Sequence, residues 1–536
     1  MTRTVRDAAF DVFRRRGLAT LFANPGSTEV PFLTGMPDDL DFVLGLHEGT
    51  VVGMASGYAI GRGEPALVLL HTTAGLGNAV SALATARVNR APLVVVVGQQ
   101  DRRHLAYEPF LAGRLDGLAG DYPVRVEQPA RAQDVPAAIE RAYHAAVISR
   151  GPALVIVPMD DWAQAADDER EPAAACGPLL RAAAADPEAV EALAAFLADA
   201  ASPALVVGAG ADDPAAWAAL VELAERLVAP VFQEPFGARA GFPQDHRLFA
   251  GVLSAARERL RGQLAPYDTV LVVGAPAFRQ TGYLPGPFLE PETRLAVVSD
   301  DPEELLRSPA ALAVLAPAAS LCRQLAARLE QRNAAPPEPF LRPPPPAPPA
   351  AGEPLKASHV LAALAERLPR EAIVLEEAPV DRPDIHDRLP AREPLGYLSA
   401  AQGGLGFAIP AAAGLRMALP SRPVVAVIGD GAALYQVQGL WSAKRYRLGP
   451  LYVVLANGGY TVMDRLAEHA GGTGPWPGFE ELELAAIARS FGCDARRLTT
   501  HDELASVLDD VVPSLGERDE PLLLDCVIEP TATFAP

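Results

Sequence analysis

A run of prolines divides this chain before any other feature does. Residues 334–354, which include RPPPPAPPAAGEP, cannot supply the backbone donors that a helix interior or a central strand requires. They read as an extended linker, so the sequence on either side has to bury cores of its own. At 536 residues the chain also exceeds what one core can serve, and three domains are expected. In residues 1–165, helical patterns alternate with short β-branched runs such as LVVVVG and ALVIVP, the pattern of a parallel sheet covered on both faces. A polar, acidic stretch at 160–172 interrupts this rhythm. ALVVGAGADD then opens a second α/β region over 183–328, with strands at TVLVVG and LAVVSD. Beyond the linker, residues 355–536 carry a helix near 358–367 and the strands AIVLEE, VVAVIG, LYVVLAN and LLLDCVIEP. The expected fold is therefore α/β, with three domains that each hold a mainly parallel sheet flanked by helices, the third echoing the first.

Charge and cysteine content exclude several function classes. A formal net charge of −20 opposes binding to a phosphate backbone, which needs clustered Lys and Arg, so no nucleic-acid partner is expected. It does not exclude an anionic small molecule, because a pocket's local field can oppose the global one. Cys176, Cys322, Cys493 and Cys526 show no metal-ligand spacing and read as buried free thiols of a reducing compartment. The N-terminal stretch mixes arginines with Asp7 and Asp11, as an amphipathic helix does and a transit peptide does not. Apolar runs are too short to span a bilayer, so a cytoplasmic location and no membrane partner are expected.

The densest chemical signal is VVAVIGDGAALYQVQGLWSAKRYRLGPLYVVLANGGY, where Gly429-Asp430-Gly431 closes one apolar strand and Asn457 closes another, with 25 residues between Gly431 and Asn457. Open α/β sheets bind ligands at the carboxyl ends of their strands. A carboxylate, an amide oxygen and a nearby carbonyl, here that of Gly459, are hard oxygen ligands suited to Mg²⁺. The glycines let backbone amides approach a diphosphate. As an isolated tripeptide GDG is more often a turn than a metal site; its strand context and the spaced Asn457 reverse that reading.

This segment resembles the thiamine diphosphate-binding motif, although Ala456 stands where the family carries the first of two Asn. Upstream, ANPGSTEVPFL, LGLHEGTVVGMASGYAIGRG and LVLLHTTAGLGNAVSAL follow in the order and spacing seen in thiamine diphosphate-dependent 2-oxo-acid decarboxylases, and the likeness is greatest to the benzoylformate decarboxylases. It continues through PLVVVVGQQ, VIVPMDDW, VLVVGAPAFR and AAQGGLGFAIP, covering essentially the whole chain. The resemblance implies pyrimidine-binding, middle and diphosphate-binding domains. It also implies thiamine diphosphate and Mg²⁺ as cofactors, and non-oxidative decarboxylation of a benzoylformate-like or aliphatic 2-oxo acid to an aldehyde through a ylid and an enamine. Asp430, Asn457 and the Gly459 carbonyl would hold the metal. Gly404, Gly429, Gly431, Ala432 and Tyr460 would surround the cofactor, and Leu405 would prop it into a bent shape. Glu48 would stabilise the imino tautomer of the aminopyrimidine, His71 would move protons, and Ser27, otherwise only a helix cap, would bind the substrate carboxylate. The family's sites lie between chains, which implies a homodimer at least and a homotetramer as the expected assembly, with Glu48 of one subunit meeting the metal site of another.

Two departures stand out. The family's second active-site histidine follows a GAPxFR segment, but this chain reads GAPAFRQTGY, with Gln280 and Thr281 there and no histidine between His246 and His359. Without that donor, worth roughly 10²- to 10⁴-fold in general acid–base catalysis, decarboxylation could be slow or the acceptor could be an aldehyde; His469 is a candidate substitute. After Asn457, the wall that grips a phenyl ring becomes Val462, Met463 and Leu466, joined by Thr281 in the substrate pocket. Three rivals follow. An acetolactate-synthase-like carboligase is opposed by His71. A catalytically degenerate relative is opposed by retention of Glu48, Asp430 and Asn457. A nicotinamide oxidoreductase fails because Asp213 replaces the third glycine of the fingerprint begun by GAG at 208–210.

Overall fold

The computed structural model describes residues 2–167, 179, 184–350 and 352–532. Cys176, position 183 and the latter part of the acidic stretch at 160–172 lie outside the described residues. The first sheet contains β1 (Thr20–Asn24), β2 (Asp41–Leu44), β3 (Ala66–Leu70), β4 (Leu93–Gln99), β5 (Arg125–Glu127) and β6 (Pro152–Pro158), in the order β2-β1-β3-β4-β6-β5. The second contains β7 (Pro203–Val207), β8 (Val231–Gln233), β9 (Phe249–Val252), β10 (Thr269–Val273), β11 (Arg294–Ser299) and β12 (Leu312–Leu315), in the order β12-β11-β10-β7-β8-β9. The third contains β13 (Ile373–Glu377), β14 (Tyr397–Ser399), β15 (Val424–Gly429), β16 (Leu451–Ala456), β17 (Asp494–Leu498) and β18 (Leu522–Val527), in the order β14-β13-β15-β16-β18-β17. Every strand pair is parallel. The three-layer α/β expectation is met, and the third sheet repeats the first strand for strand, which the shared rhythm had suggested.

The first and third units share one hydrophobic core, with Phe22, Val52, Met54 and Leu70 on one side and Ile409, Ala412, Leu415 and Ile428 on the other. Two helices, Glu48–Arg62 and Ala408–Ala418, form the seam. The former is buried over most of its length, so its sequence is apolar all round. His47 caps it by accepting from the Gly49 amide, and Gly63, at φ 70°, ends it in the left-handed conformation that glycine tolerates. Small residues set the approach of the two helices. A Cβ at Gly57 would lie 2.1 Å from the Ala411 carbonyl oxygen, and one at Gly414 would lie 2.0 Å from that of Met54.

The middle unit has its own cores on the two faces of its sheet and is tied to the third by buried polar contacts. Asp212 accepts from the Trp217 indole (3.1 Å) and the Leu395 amide (3.1 Å). Residues 330–350 form no helix or strand, yet Arg342 within them donates to the carbonyls of His386 and Asp387 (2.9 and 2.8 Å) and of Gln244 (3.0 Å). Cys322, Cys493 and Cys526 are free and buried, and burial pushes the first two thiols up to about 12, so they are inert hydrophobes rather than nucleophiles.

Candidate active site

Six of the residues singled out from the sequence lie beyond the carboxyl ends of strands. Ser27 follows β1, Glu48 follows β2 and His71 follows β3; Leu405 follows β14, Asp430 follows β15 and Asn457 follows β16. Because the outer sheets share a topology, Glu48 and Leu405 follow equivalent strands, β2 and β14, and so do His71 and Asp430, after β3 and β15, where ligand sites of open α/β sheets form; Ser27 after β1 and Asn457 after β16 have no counterpart in the other set.

In the first unit Glu48 is 7% exposed and begins its helix. Its two carboxylate oxygens accept from the Asn24 amide (3.1 Å) and the Asn78 amide (3.0 Å), which fix the plane of the group. Gly75 lies between Glu48 and His71, with a Cβ position 3.5 Å from the Glu48 Cγ and 3.4 Å from the His71 Cβ. His71 directs Nδ1 at the buried Glu29 carboxylate (2.9 Å), with the Thr28 hydroxyl at 3.0 Å. Glu29 already accepts from the Thr28 hydroxyl (2.5 Å) and the Gly26 amide (2.8 Å). A carboxylate can only accept, so Nδ1 carries the proton and Nε2 is left as the free base. Gly26 presses on the ring, where a Cβ would sit 2.4 Å from Nδ1. Ser27 is exposed at the start of a short 3₁₀ turn.

In the third unit Asp430 is 4% exposed, accepting from the Gly431 amide (2.8 Å) and the Gly458 amide (2.7 Å). Burial pushes its carboxyl above the usual range against the pull of those donors. The Asn457 side-chain oxygen accepts from the Gly459 amide (3.2 Å). A Cβ at Gly459 would meet nothing within 4 Å, and one at Gly429 only the Glu377 carbonyl oxygen at 3.9 Å. Oxygen donors thus surround open space beside a buried carboxylate with lone pairs to spare, a set that suits Mg²⁺ and a diphosphate. Gly431 lies against Tyr460, whose ring stands edge-on to Phe479 at 5.1 Å, and Ala432 is buried.

Leu405 and Thr281 line a cavity of about 860 Å³ between the middle and third units, with Phe236, Leu253, Phe340 and His386. Gly404 lies against the first unit, a Cβ there being 2.8 Å from the Ser81 hydroxyl. Val462, Met463 and Leu466 sit on the helix Thr461–His469, the latter two 43% exposed. They do not line that cavity in the single chain, and neither does His469, which is exposed at the end of the same helix. No hydrogen bond joins Glu48, His71 or Ser27 to Asp430, Asn457 or Gly459 among the described residues.

Sequence reasoning missed the supporting residues. Asn24 and Glu29 flank the Gly-Ser turn in ANPGSTE and Asn78 lies one helical turn past Gly75, but only the fold shows whom they serve. Glu377, pushed up to about 7 by burial, accepts from the amides of Gly406 (2.5 Å), Phe407 (3.1 Å) and Ala408 (2.8 Å). It fixes the loop that carries Gly404 and Leu405.

Two glycine-lined strand ends, a helix-borne Glu and a buried Asp beside Asn define a thiamine diphosphate enzyme, and the chain belongs to that family. Residues 3–119 match the N-terminal TPP binding domain of thiamine pyrophosphate enzymes, 190–325 the central domain and 384–526 the C-terminal TPP binding domain. Benzoylformate decarboxylase of Pseudomonas aeruginosa is 39% identical, with 100% of each chain covered. A putative acetolactate synthase large subunit of Mycobacterium tuberculosis is 31% identical over 96% of each. Among solved structures, the thiamine diphosphate-dependent 4-hydroxybenzoylformate decarboxylase of Rhodococcus jostii superposes with a TM-score of 0.93 at 34% identity, covering 99% of this chain and 100% of that one.

Proposed function

We propose that this chain is a carbon–carbon lyase that decarboxylates a 2-oxo acid, benzoylformate-like or aliphatic, to an aldehyde without net oxidation, using thiamine diphosphate and Mg²⁺. The observation that carries this reading is the His71–Glu29 pair (2.9 Å) beside Glu48 in a chain that matches a benzoylformate decarboxylase from end to end. The acyloin-forming alternative draws on the acetolactate-synthase relative, but a base poised next to Glu48 favours proton delivery over carbon–carbon bond formation.

When bound, thiamine diphosphate supplies the carbon nucleophile and the electron sink for the departing carboxylate. Asp430, Asn457 and the Gly459 carbonyl would hold Mg²⁺, and the amides around Gly429 and Gly431 would receive the diphosphate. Ala432 and Tyr460 flank that space, and Leu405 with Gly404 would support the cofactor's bend. Glu48, held by Asn24 and Asn78, would offer its carboxyl group to the aminopyrimidine. Ser27 donates its hydroxyl to the substrate carboxylate. His71 Nε2, left basic by the Glu29 contact, takes up and returns a proton near the reacting carbon. Thr281, Val462, Met463 and Leu466 would shape the space for the substrate's side chain. The active unit is a homo-oligomer, at least a dimer and expected to be a tetramer, in which Glu48 of one copy serves the metal site of another.

The test incubates the protein with thiamine diphosphate, Mg²⁺ and a panel of 2-oxo acids that includes benzoylformate, following products by NMR. Aldehyde formation by the wild type that falls at least about 100-fold in Glu48→Gln supports the reading. Acyloin as the main product moves the chain to the carboligases, and absence of turnover with cofactor bound rejects both.

A further inference from the structure

The cavity that holds Leu405 and Thr281 is walled on the middle-unit side by a helix, and that helix carries a cation for which the site so far described has no use. The helix, Arg257–Leu264, divides its residues among three neighbours. Leu260 and Leu264 are buried in a core of the middle unit. Arg257 and Arg261 turn to the segment that follows Phe278. Arg257 donates to the Gln280 side-chain oxygen and the Gly286 carbonyl (both 2.9 Å) and lies over the Phe288 ring at 4.2 Å, and Arg261 faces the Glu290 carboxylate at 3.5 Å. Arg259, Gly262 and Gln263 line the cavity. At 3.6 residues per turn Arg259 projects between Gly262 and Gln263, so it stands in the middle of the cavity-facing strip. Gln263 is already committed, accepting from the Ser254 amide (2.7 Å) and donating to the Val252 carbonyl (3.2 Å). A Cβ at Gly262 would meet nothing within 4 Å, which leaves room beside Arg259. The Arg259 guanidinium makes no hydrogen bond, ion pair or ring contact among the described residues.

The other charges around this cavity answer one another. Glu376 is paired with Arg382 (2.7 Å), Glu377 accepts from three amides, and Asp387 lies in the field of Arg342 and Arg388. Phe236, Leu253, Phe340 and Leu405 add apolar surface. An unmatched cation beside low-dielectric walls sets the local field that a ligand meets, whatever the net charge of the chain. We propose that Arg259 is a specificity-determining residue that pairs with a carboxylate at the distal end of the substrate's side chain, so that the preferred 2-oxo acid has an apolar body carrying a second acidic group. The planar fork of a guanidinium matches the two oxygens of a carboxylate. This rests on the decarboxylase reading for the reaction, but the contact itself can be measured without turnover.

Binding of three unreactive analogues, mandelate, 3-carboxymandelate and 4-carboxymandelate, to the full chain loaded with thiamine diphosphate and Mg²⁺ would be measured by titration calorimetry. The wild type is expected to bind at least one carboxylated analogue about 5- to 20-fold more tightly than mandelate. That is less than a fully buried charged hydrogen bond gives, because Arg259 is exposed and keeps part of its water. Raising the salt from about 0.05 to 0.5 M should shrink the preference. Arg259→Gln should bring the ratio near one and remove its salt dependence while still binding mandelate, which reports an intact cavity, and Arg259→Lys, which restores the charge, should recover part of the preference. No gain from the second carboxylate in the wild type, or a gain that survives in Arg259→Gln, overturns the proposal. Aldehyde production from benzoylformate and its carboxylated derivatives is assayed separately. A binding preference without turnover would keep the Arg259 contact and remove the decarboxylase reading; turnover without a preference would do the reverse.

Discussion

The division of labour around His71 shows how much a single buried carboxylate decides. With Glu29 fixing the proton on Nδ1, the opposite nitrogen is available as a base; with an amide in its place, the tautomer is no longer imposed. If His71 carries the proton as proposed, Glu29→Gln is expected to lower kcat by about 10- to 100-fold with a smaller change in KM and to alter the pH–rate profile, because orienting partners of catalytic imidazoles carry effects of that size. A pH–rate profile identical to the wild type would show that Glu29 only packs. The residues proposed for the reaction could be picked out in the sequence, because Glu48, His71, Asp430 and Asn457 stand at strand ends within recognisable motifs. Their partners could not. Glu29 reads as part of a turn, and nothing in HTTAGLGN announces that Asn78 reaches Glu48.

Among the elements, the helix Ala408–Ala418 bears the most on the site, because it packs on the Glu48 helix and its first amides are held by Glu377. The sequence foretold the strands that flank it, whose β-branched runs are unambiguous, and it marked GGLGF as a cofactor-supporting segment. It could not foretell that a glutamate at the end of β13 would be entombed to hold that segment. Burial outweighs the three donors and pushes the Glu377 carboxyl up from 4.5 to about 7. Between those values the folded chain binds a proton there that the unfolded chain has released, so this group's contribution to stability is fully present below about pH 4.5 and is lost as pH rises through about 7. Glu377→Gln removes the titration. Its Tm relative to the wild type is therefore expected to improve from pH 5 to about pH 7 and to level off by pH 8, superimposed on a constant offset from the altered hydrogen bonds. A difference in Tm that does not change with pH would mean that Glu377 stays ionised throughout.

At the scale of the whole molecule the two halves of the chemistry lie on units that share a core, yet the single chain does not join them. The hydrogen bonds of Glu48 run to Asn24 and Asn78, and its neighbour Thr50 reaches Gln436 (2.8 Å), not the carboxylate of Asp430. Around the Asp430 end, Tyr460, Met463 and Leu466 leave apolar surface open, and the loop carrying Tyr107 and Phe110 exposes 83% and 87% of those side chains. If a second copy related by a twofold axis set each first unit over the other's third unit, both sites would be completed at once, since an isologous interface uses every patch twice. Linker and strand composition made the three α/β units readable from the sequence; the sharing of a site between copies came only as an implication of the family resemblance, because surfaces rather than motifs set it. Mixing chains resolves it. Glu48→Gln and Asp430→Asn are each expected to be inactive alone. If sites are shared between copies, denaturing and refolding the two variants together at equal amounts produces mixed dimers in which one site collects both defects and the other collects none. Random pairing then restores roughly a quarter of the wild-type activity. If each chain completed its own site, every site in the mixture would keep one defect and no activity would return. Recovery near that fraction, lost again when either variant is replaced by the double mutant, would place Glu48 and Asp430 of one working site on different copies of the chain.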